Sequence, residues 1–208
     1  MGIWLPGRGA CMSQLKYSIV CEDNAQRWFI EALLAHPAIN LTLQFDEDFY
    51  KRFKCNTNKD VRNSYVRVVE QFSFLSRYNI EVVFIGIDFD DRNRANFEKE
   101  EEKLYAQLSN GKEKAFIFYP VQAIEHWLLL MKRKNESPQL TKNIAQEVES
   151  IARREAKKQL YSDKSKTEKD VVLSLVAATD LEWLMQQSNS FRSFYKKLKS
   201  SPLLFPLA

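Results

Sequence analysis

The sequence predicts an α/β fold, in which a parallel sheet is flanked by helices and followed by a helical C-terminal part. Up to Pro138, short apolar runs of strand length alternate with stretches of helical apolar spacing. The run VVFIGI, residues 82–87, is apolar or small throughout, which is typical of a strand covered on both faces. Beyond Pro138, only helical spacing continues. Strands separated by helices favour parallel pairing, with helices on both faces of the sheet.

Four strands are predicted, at residues 16–21, 38–45, 81–87 and 115–119. The first, KYSIVC, ends at Glu22-Asp23-Asn24, residues that suit the start of a helix. The second, AINLTLQF, has the alternation of a strand with one buried face, and the fourth is the apolar run AFIFY.

Seven helices are predicted from apolar residues at helical spacing. They lie at residues 25–35, 61–78, 96–108, 122–132, 143–160, 168–178 and 181–198. The first of them stops at His36-Pro37, because the residue before a proline avoids the helical conformation. Residues 46–60 are polar and turn-prone and are expected to form a loop.

The chain divides into three parts. Residues 1–14, which include Gly and Pro but no continuous apolar segment, are expected to be a disordered lead-in rather than a signal peptide. Met1 and Met12 are both candidate start sites for translation. Residues 15–137 form the α/β domain, and residues 138–208 a helical extension that packs on it.

Composition sets the broad class. A chain of 208 residues suffices for one domain with a full core, and its net charge of +4 permits a nucleic-acid partner without requiring one. Its three cysteines have no CxxC spacing, which argues against a disulfide framework or a zinc site. No apolar run approaches the roughly 18 residues of a membrane span, so a cytoplasmic protein is expected.

Acidic residues follow two of the predicted strands. Asp88 and Asp90 alternate at the end of the third strand, where residues two apart point to the same side, and Glu22 ends the first. The carboxyl ends of parallel strands share one edge of a sheet, so these carboxylates are expected to meet. Such a group needs a positive partner, either a divalent cation or a nearby Lys or Arg. The favoured interpretation is a site for Mg²⁺ or Mn²⁺ acting on a phosphodiester.

Two runs carry a family resemblance, IGIDFDDRNRANFEKE and the later FIFYPVQAIEHWLLL. Together with Glu22, they resemble the Toprim domain of topoisomerases, primases and OLD-type nucleases. The most similar members are small stand-alone Toprim proteins of bacterial mobile elements and phage-defence loci, which carry a later phrase like the IEHWLL of residues 124–129. The resemblance extends over residues 16–131 and implies a Toprim-like, Rossmann-like parallel sheet.

The resemblance also implies roles for individual residues. Glu22 would act as general base or metal ligand, Asp88 and Asp90 would bind the metal, and Glu125 would lie beside it as a further catalytic carboxylate. Asp91 would support the metal ligands through hydrogen bonds. His126, beside Glu125 and the LLL run, is expected to have a structural or supporting role rather than a catalytic one. One position departs from the family pattern, because Asp23 stands where many members have a glycine that allows a tight turn.

Basic residues are the candidates for contact with nucleic acid. The predicted set comprises Arg92, Arg94, Arg153, Arg154, Lys157 and Lys158. Acidic residues are interspersed in the region after Arg153, so an ordinary solvated helix surface is the alternative for that part.

Three functions are compatible with these residues. The leading one is a metal-dependent Toprim-type endonuclease that hydrolyses DNA or RNA, as effector of a defence system against phages or mobile elements. A phosphatase of the haloacid-dehalogenase type is disfavoured, because its aspartate motif belongs to the first strand and lacks the arginine found here at Arg92. The third is a catalytically silent sensor or subunit that binds nucleic acid or a partner ATPase; Asp23 in place of the glycine and the absence of a GxxxxGK[ST] motif keep this alternative open. The expected partners are therefore nucleic acid and either an ATPase or further copies of the chain.

Overall fold

The computed structural model describes residues 14–71, 77–89 and 96–206, and these form an α/β fold around one parallel sheet. The strands are β1 (Lys16–Val20), β2 (Gln44–Phe45), β3 (Val82–Gly86) and β4 (Ala115–Phe118). Their order is β2-β1-β3-β4, and every pair is parallel. The predicted fold class, a parallel sheet flanked by helices, is confirmed.

Ten α-helices lie within the described residues. They are α1 (Asn24–Ala35), α2 (Glu47–Arg52), α3 (Asn58–Glu70), α4 (Phe97–Ala106), α5 (Ile124–Glu136), α6 (Ala145–Ser150), α7 (Arg153–Leu160), α8 (Glu168–Ala178), α9 (Leu181–Gln187) and α10 (Asn189–Lys199). None of the described helices is long and apolar enough to cross a membrane.

Both faces of the sheet are buried. Val82 and Phe84 of β3 belong to a core shared with α1, α5 and the C-terminal helices, whereas Val83 and Ile85 belong to a second core shared with α3 and α4. Successive strand residues point to opposite faces, so a strand between two cores must be apolar at every position. This accounts for the uninterrupted apolar run at residues 82–87.

The C-terminal helices complete the first core. Phe191 and Phe194 of α10 pack against α5 and β4, with ring centroids 5.3 Å apart for Trp127 and Phe191 and 5.8 Å apart for Phe118 and Phe194. The indole Nε1 of Trp127 donates a hydrogen bond of 2.9 Å to Ser190 Oγ. The helical extension therefore packs on the sheet.

The second predicted strand is much shorter than expected. Of residues 38–45, two pair with β1, as β2. Asn40 has a φ of 51°, in the left-handed region, and the Leu41 amide donates to the Leu34 carbonyl at the end of α1. This turn against α1 competes with strand pairing, and the prediction of an eight-residue strand is wrong for its first six residues.

Two predicted helices are interrupted. The one at residues 143–160 breaks into α6 and α7, because Ile151 and Ala152 have extended backbones with ψ of 133° and 139°. The one at residues 181–198 breaks into α9 and α10 at Ser188, whose hydroxyl accepts a hydrogen bond from the Phe191 amide. Both breaks leave the apolar spacing intact, which is why the sequence pattern does not reveal them.

Residues 46–60, expected as a loop, contain α2 and the first residues of α3. Thr57 and Asp60 form a reciprocal capping box there. The predicted helix at residues 61–78 is too long: α3 ends at Glu70, because the next residue, Gln71, has a ψ of 73°, outside the helical range. Residues 72–76 lie outside the described part, as does the predicted lead-in up to residue 13. The described cysteines, Cys21 and Cys55, are free.

Candidate active site

Three of the predicted carboxylates meet at the carboxyl edge of the sheet. Glu22 follows β1, Asp88 follows β3, and Glu125 lies in the first turn of α5, shortly after β4. All three contact the guanidinium of Arg153, at 2.7 Å from Glu22, 3.2 Å from Asp88 and 3.6 Å from Glu125. Asp23 lies 3.4 Å from the same guanidinium. We call the four carboxylates together the acidic centre: Glu22, Asp23, Asp88 and Glu125.

Asp23 serves as the N-cap of α1. Its side chain accepts a hydrogen bond of 3.0 Å from the Gln26 amide. Its φ of −137° is an extended conformation that any residue adopts. The turn after Glu22 therefore needs no glycine in this chain.

Gln26 links the ends of β1 and β3. Its side chain is fully buried, donates a hydrogen bond of 2.9 Å from Nε2 to Asp88 Oδ1, and accepts one of 3.2 Å from the Glu22 amide at Oε1. Gly86 makes room for it, since a Cβ there would lie 2.7 Å from Gln26 Oε1. The two strand ends are thus held in register by one amide side chain.

The backbone of Asp88 is held by the start of α3. The Asp88 amide donates to Asn58 Oδ1 at 3.1 Å, and Asn58 Nδ2 donates to the Asp88 carbonyl at 2.8 Å. Arg62, one turn later, donates to the same carbonyl at 3.1 Å and to the Tyr119 hydroxyl at 2.8 Å. The first turn of α3 therefore fixes the position of the Asp88 backbone.

Glu125 is fully buried and has a different environment. It lies near the N-terminus of α5, where the helix dipole favours a negative charge. Lys157 Nζ lies 2.9 Å from its Oε1. Within the described part of the chain, the oxygens of Glu125 and Asp88 Oδ2 have no hydrogen-bond partner apart from ion pairs with Arg153 and Lys157. The cations of α7 are therefore the partners of these buried oxygens.

The pKa values reflect this arrangement. Burial raises the pKa of Asp88 well above its usual range; Arg153 opposes that shift, whereas Glu22 and Glu125 add to it. Burial acts to lower the pKa of Arg153, but the surrounding Asp88, Glu22 and Glu125 outweigh it, and the net shift is upward. Arg153 thus stays charged while Asp88 is costly to ionise.

His126 contacts two backbone carbonyls. Its Nε2 lies 2.9 Å from the Ile151 oxygen and its Nδ1 lies 3.3 Å from the Ala123 oxygen, and the ring is fully buried. Ile151 belongs to the extended break that precedes α7. His126 therefore holds the chain just before Arg153.

The predicted basic set divides between two environments. Arg153 and Lys157, four residues apart on one face of α7, point into the acidic centre. Arg154 and Lys158, one position further on, are exposed, and Lys158 lies 3.7 Å from Glu155. Other predicted site residues lie outside the described part of the chain: Asp90, Asp91, Arg92 and Arg94.

A divalent cation in this centre would need several oxygen ligands arranged around one point. Carboxylate oxygens are the right donors for Mg²⁺ or Mn²⁺. In the described ranges, however, no group of three or more His, Cys, Asp or Glu side chains is arranged to hold a metal ion. The described carboxylates surround a guanidinium and do not fit a metal ion as they stand.

Sequence reasoning missed three residues that build the site, Gln26, Asn58 and Arg62. A signal exists for the first, because Asp23-x-x-Gln26 has the spacing of a capping box. Nothing in the sequence connects Asn58 or Arg62 with Asp88, because their hydrogen bonds to its backbone depend on how α3 packs against β3.

The fold and the site together define a class: an α/β protein with a parallel sheet and an acidic centre at its carboxyl edge. No family model, curated protein or solved structure matches the chain. Functional assignment therefore rests on the residues and the geometry.

Proposed function

We propose that this chain is a Toprim-type endonuclease that hydrolyses phosphodiester bonds in DNA or RNA with Mg²⁺ or Mn²⁺ as its cofactor. The observation that carries the proposal is the meeting of Glu22, Asp88 and Glu125, from three separate elements, at the carboxyl edge of a parallel sheet. Ligands of open α/β sheets bind at this edge. A cytoplasmic defence role against phages or mobile elements follows from the family resemblance.

The burial of two carboxylates supports a functional role. Asp88 and Glu125 are both fully buried, and burying a charged carboxyl costs free energy even when it is paired. Apolar residues already fill the two cores on either side of β3, so the fold does not require these acids. A buried carboxyl whose pKa is raised, as that of Asp88 is, is typical of active sites.

The proposed roles follow from exposure and position. Glu22 keeps 11% of its side chain exposed and is the proposed acceptor of a proton from the attacking water. Asp88 and Glu125 supply the buried negative charge that a cation at this edge would balance. In the arrangement described, that cation is Arg153.

The experiment is cleavage of supercoiled plasmid, single-stranded DNA and total tRNA by the purified protein with Mg²⁺, Mn²⁺ or EDTA. Asp88→Asn and Glu125→Gln keep the shape of each side chain and remove its charge. We expect cleavage that requires a divalent cation and falls by about 100-fold or more in each variant, as in the loss of a residue that acts in the transition state. Asp48→Asn, an exposed position of α2, is the control. Cleavage that persists in EDTA or in Asp88→Asn would contradict the proposal.

A second candidate is a catalytically silent subunit that binds nucleic acid or a partner ATPase. The observation that favours it is that Arg153 and Lys157 already balance part of the charge of the acidic centre. It predicts no cleavage of any substrate under any condition. Binding of a labelled oligonucleotide in EDTA, or recovery of an ATPase with the tagged protein, would then identify the partner.

A further inference from the structure

We infer that Arg153 takes the position of a divalent cation in the acidic centre, so that the two compete for Glu22, Asp88 and Glu125. The inference rests on the proposed function in one respect, that this centre binds a divalent cation. The new element is that the cation's competitor is a side chain of the protein itself, Arg153 at the start of α7.

The contacts of Arg153 resemble those of an ion with its ligands. Nη2 reaches Glu22 and Asp23 at 2.7 and 3.4 Å, Nη1 reaches Asp88 at 3.2 Å, and Nε lies 3.6 Å from Glu125. Every nitrogen of the guanidinium thus faces a carboxylate. These four carboxylates converge on one positive group rather than pairing with separate ones.

The buried oxygens require a positive charge at this place. Asp88 Oδ2 and both oxygens of Glu125 are buried, and among the described residues their only polar partners are the cations Arg153 and Lys157. A buried carboxylate without hydrogen bonds depends on a counter-charge for its stability. Removing Arg153 therefore leaves a vacancy that a hard cation with a preference for carboxylate oxygens is suited to fill.

The charge balance leaves room for a divalent ion. Four carboxylates face two cations, Arg153 and Lys157, which leaves two negative charges when all groups are ionised. Exchange of Arg153 for a divalent cation leaves one. Competition by exchange is therefore electrostatically favourable, whereas Arg153 in place repels an incoming cation.

Arg153 can leave without unfolding α7. It is the first residue of that helix, its side chain is 35% exposed, and it follows the extended residues Ile151 and Ala152. The helix is anchored separately, by Ala156 and Leu160, which are buried in the core. Rotation of one side chain towards solvent is enough to open the acidic centre.

The test is calorimetric titration of the metal-free, full-length protein with Mn²⁺. We expect Arg153→Ala to bind Mn²⁺ more tightly than wild type by about tenfold or more, because a positive charge close to the incoming ion no longer opposes its binding. Arg154→Ala is the matched control, because it removes the same charge from an exposed neighbour, and it should bind like wild type. Equal or weaker binding by Arg153→Ala, or no binding by either protein, would overturn the inference.

A second measurement uses the wild-type chain, in case Arg153→Ala does not fold. The NMR signal of the Arg153 Nε–H group reports on its pairing with the carboxylates, and saturating Mg²⁺ should move it to the range of the exposed Arg154. A signal that stays in place while Mg²⁺ binds would show that the ion and Arg153 do not compete.

These outcomes separate the two proposals. Tighter Mn²⁺ binding by Arg153→Ala without cleavage of any substrate would support the competition and refute the nuclease. Metal-dependent cleavage, together with an Mn²⁺ affinity that Arg153→Ala leaves unchanged, would support the nuclease and refute the competition.

Discussion

Asp88 and Glu125 are both fully buried, yet they are held in opposite ways. Asp88 is fixed by neutral and backbone hydrogen bonds from Gln26, Asn58 and Arg62. Among the described residues, Glu125 has only the cations Arg153 and Lys157 as polar partners. The position of Asp88 is therefore set by the fold, whereas the charge of Glu125 depends on α7.

The raised pKa of Asp88 predicts that ionising it destabilises the metal-free protein. An acid whose pKa is raised on folding contributes stability below its unfolded value, about 3.9 for Asp, and this contribution is lost as pH rises through the raised pKa. Asp88→Asn keeps the acceptor for Gln26 and cannot ionise. We expect its free energy of unfolding, relative to wild type, to increase as pH rises above about 4 in EDTA, and to level off once pH exceeds the raised pKa of Asp88.

Urea unfolding followed by circular dichroism measures this difference at each pH. Asp48→Asn, on the exposed side of α2, is the control and should give a difference that changes little with pH. A constant difference between Asp88→Asn and wild type across the range would show that Asp88 ionises without cost.

Topology alone determines that two of the carboxylates lie close together. Glu22 and Asp88 lie at the ends of neighbouring parallel strands, and the rule that such ends share an edge is enough to bring them together. Arg153 is 131 residues from Glu22 along the chain, and its contact with Glu22 depends on the packing of the C-terminal helices. The sequence indicated that the carboxylates needed a cation, but not which one.

At the level of elements, β3 is buried on both faces, and there is no space for a side chain at Gly86. A Cβ at this position would lie 2.4 Å from Phe118 Cζ and 2.7 Å from Gln26 Oε1. We expect Gly86→Ala to lower the free energy of unfolding by about 1–3 kcal/mol, as overpacking of a core does. It should also weaken the hydrogen bond between Gln26 and Asp88.

A double-mutant cycle in urea tests the cause. Phe118→Leu shortens the side chain that the new methyl would meet, so the combined cost of Gly86→Ala and Phe118→Leu should be less than the sum of the two single costs. Additive costs would mean that the methyl group is accommodated elsewhere.

Element boundaries were predictable where local sequence sets them. β1 and β3 follow from apolar runs, and the start of α1 follows from Asp23. The break before α7 has no comparable signal, because the extended backbone at Ile151 and Ala152 is accompanied by a tertiary contact, from His126 to the Ile151 carbonyl. That break is what turns Arg153 towards the sheet edge.

At the scale of the whole molecule, the C-terminal helices have two functions. Phe191 and Phe194 complete the core on one face of the sheet, and Arg153 and Lys157 supply the cations of the acidic centre. The same part of the chain therefore stabilises the fold and controls the charge at the proposed active site. Loss of these helices would remove part of the packing around the apolar rings and the cations that face the buried carboxylates.

A chain that ends at residue 137 tests this dependence. It lacks α6 to α10, so Phe29, Phe118 and Trp127 lose their contacts with α10, and Asp88 and Glu125 lose their cations. We expect no cooperative thermal transition by calorimetry and a poorly dispersed NMR spectrum. In the full chain, Phe194→Ala should keep a single transition and cost about 3–5 kcal/mol, the range for truncating a buried phenylalanine. A cooperative transition in the shortened chain would instead establish residues 15–137 as a domain that folds alone, with the helical part as an addition to it.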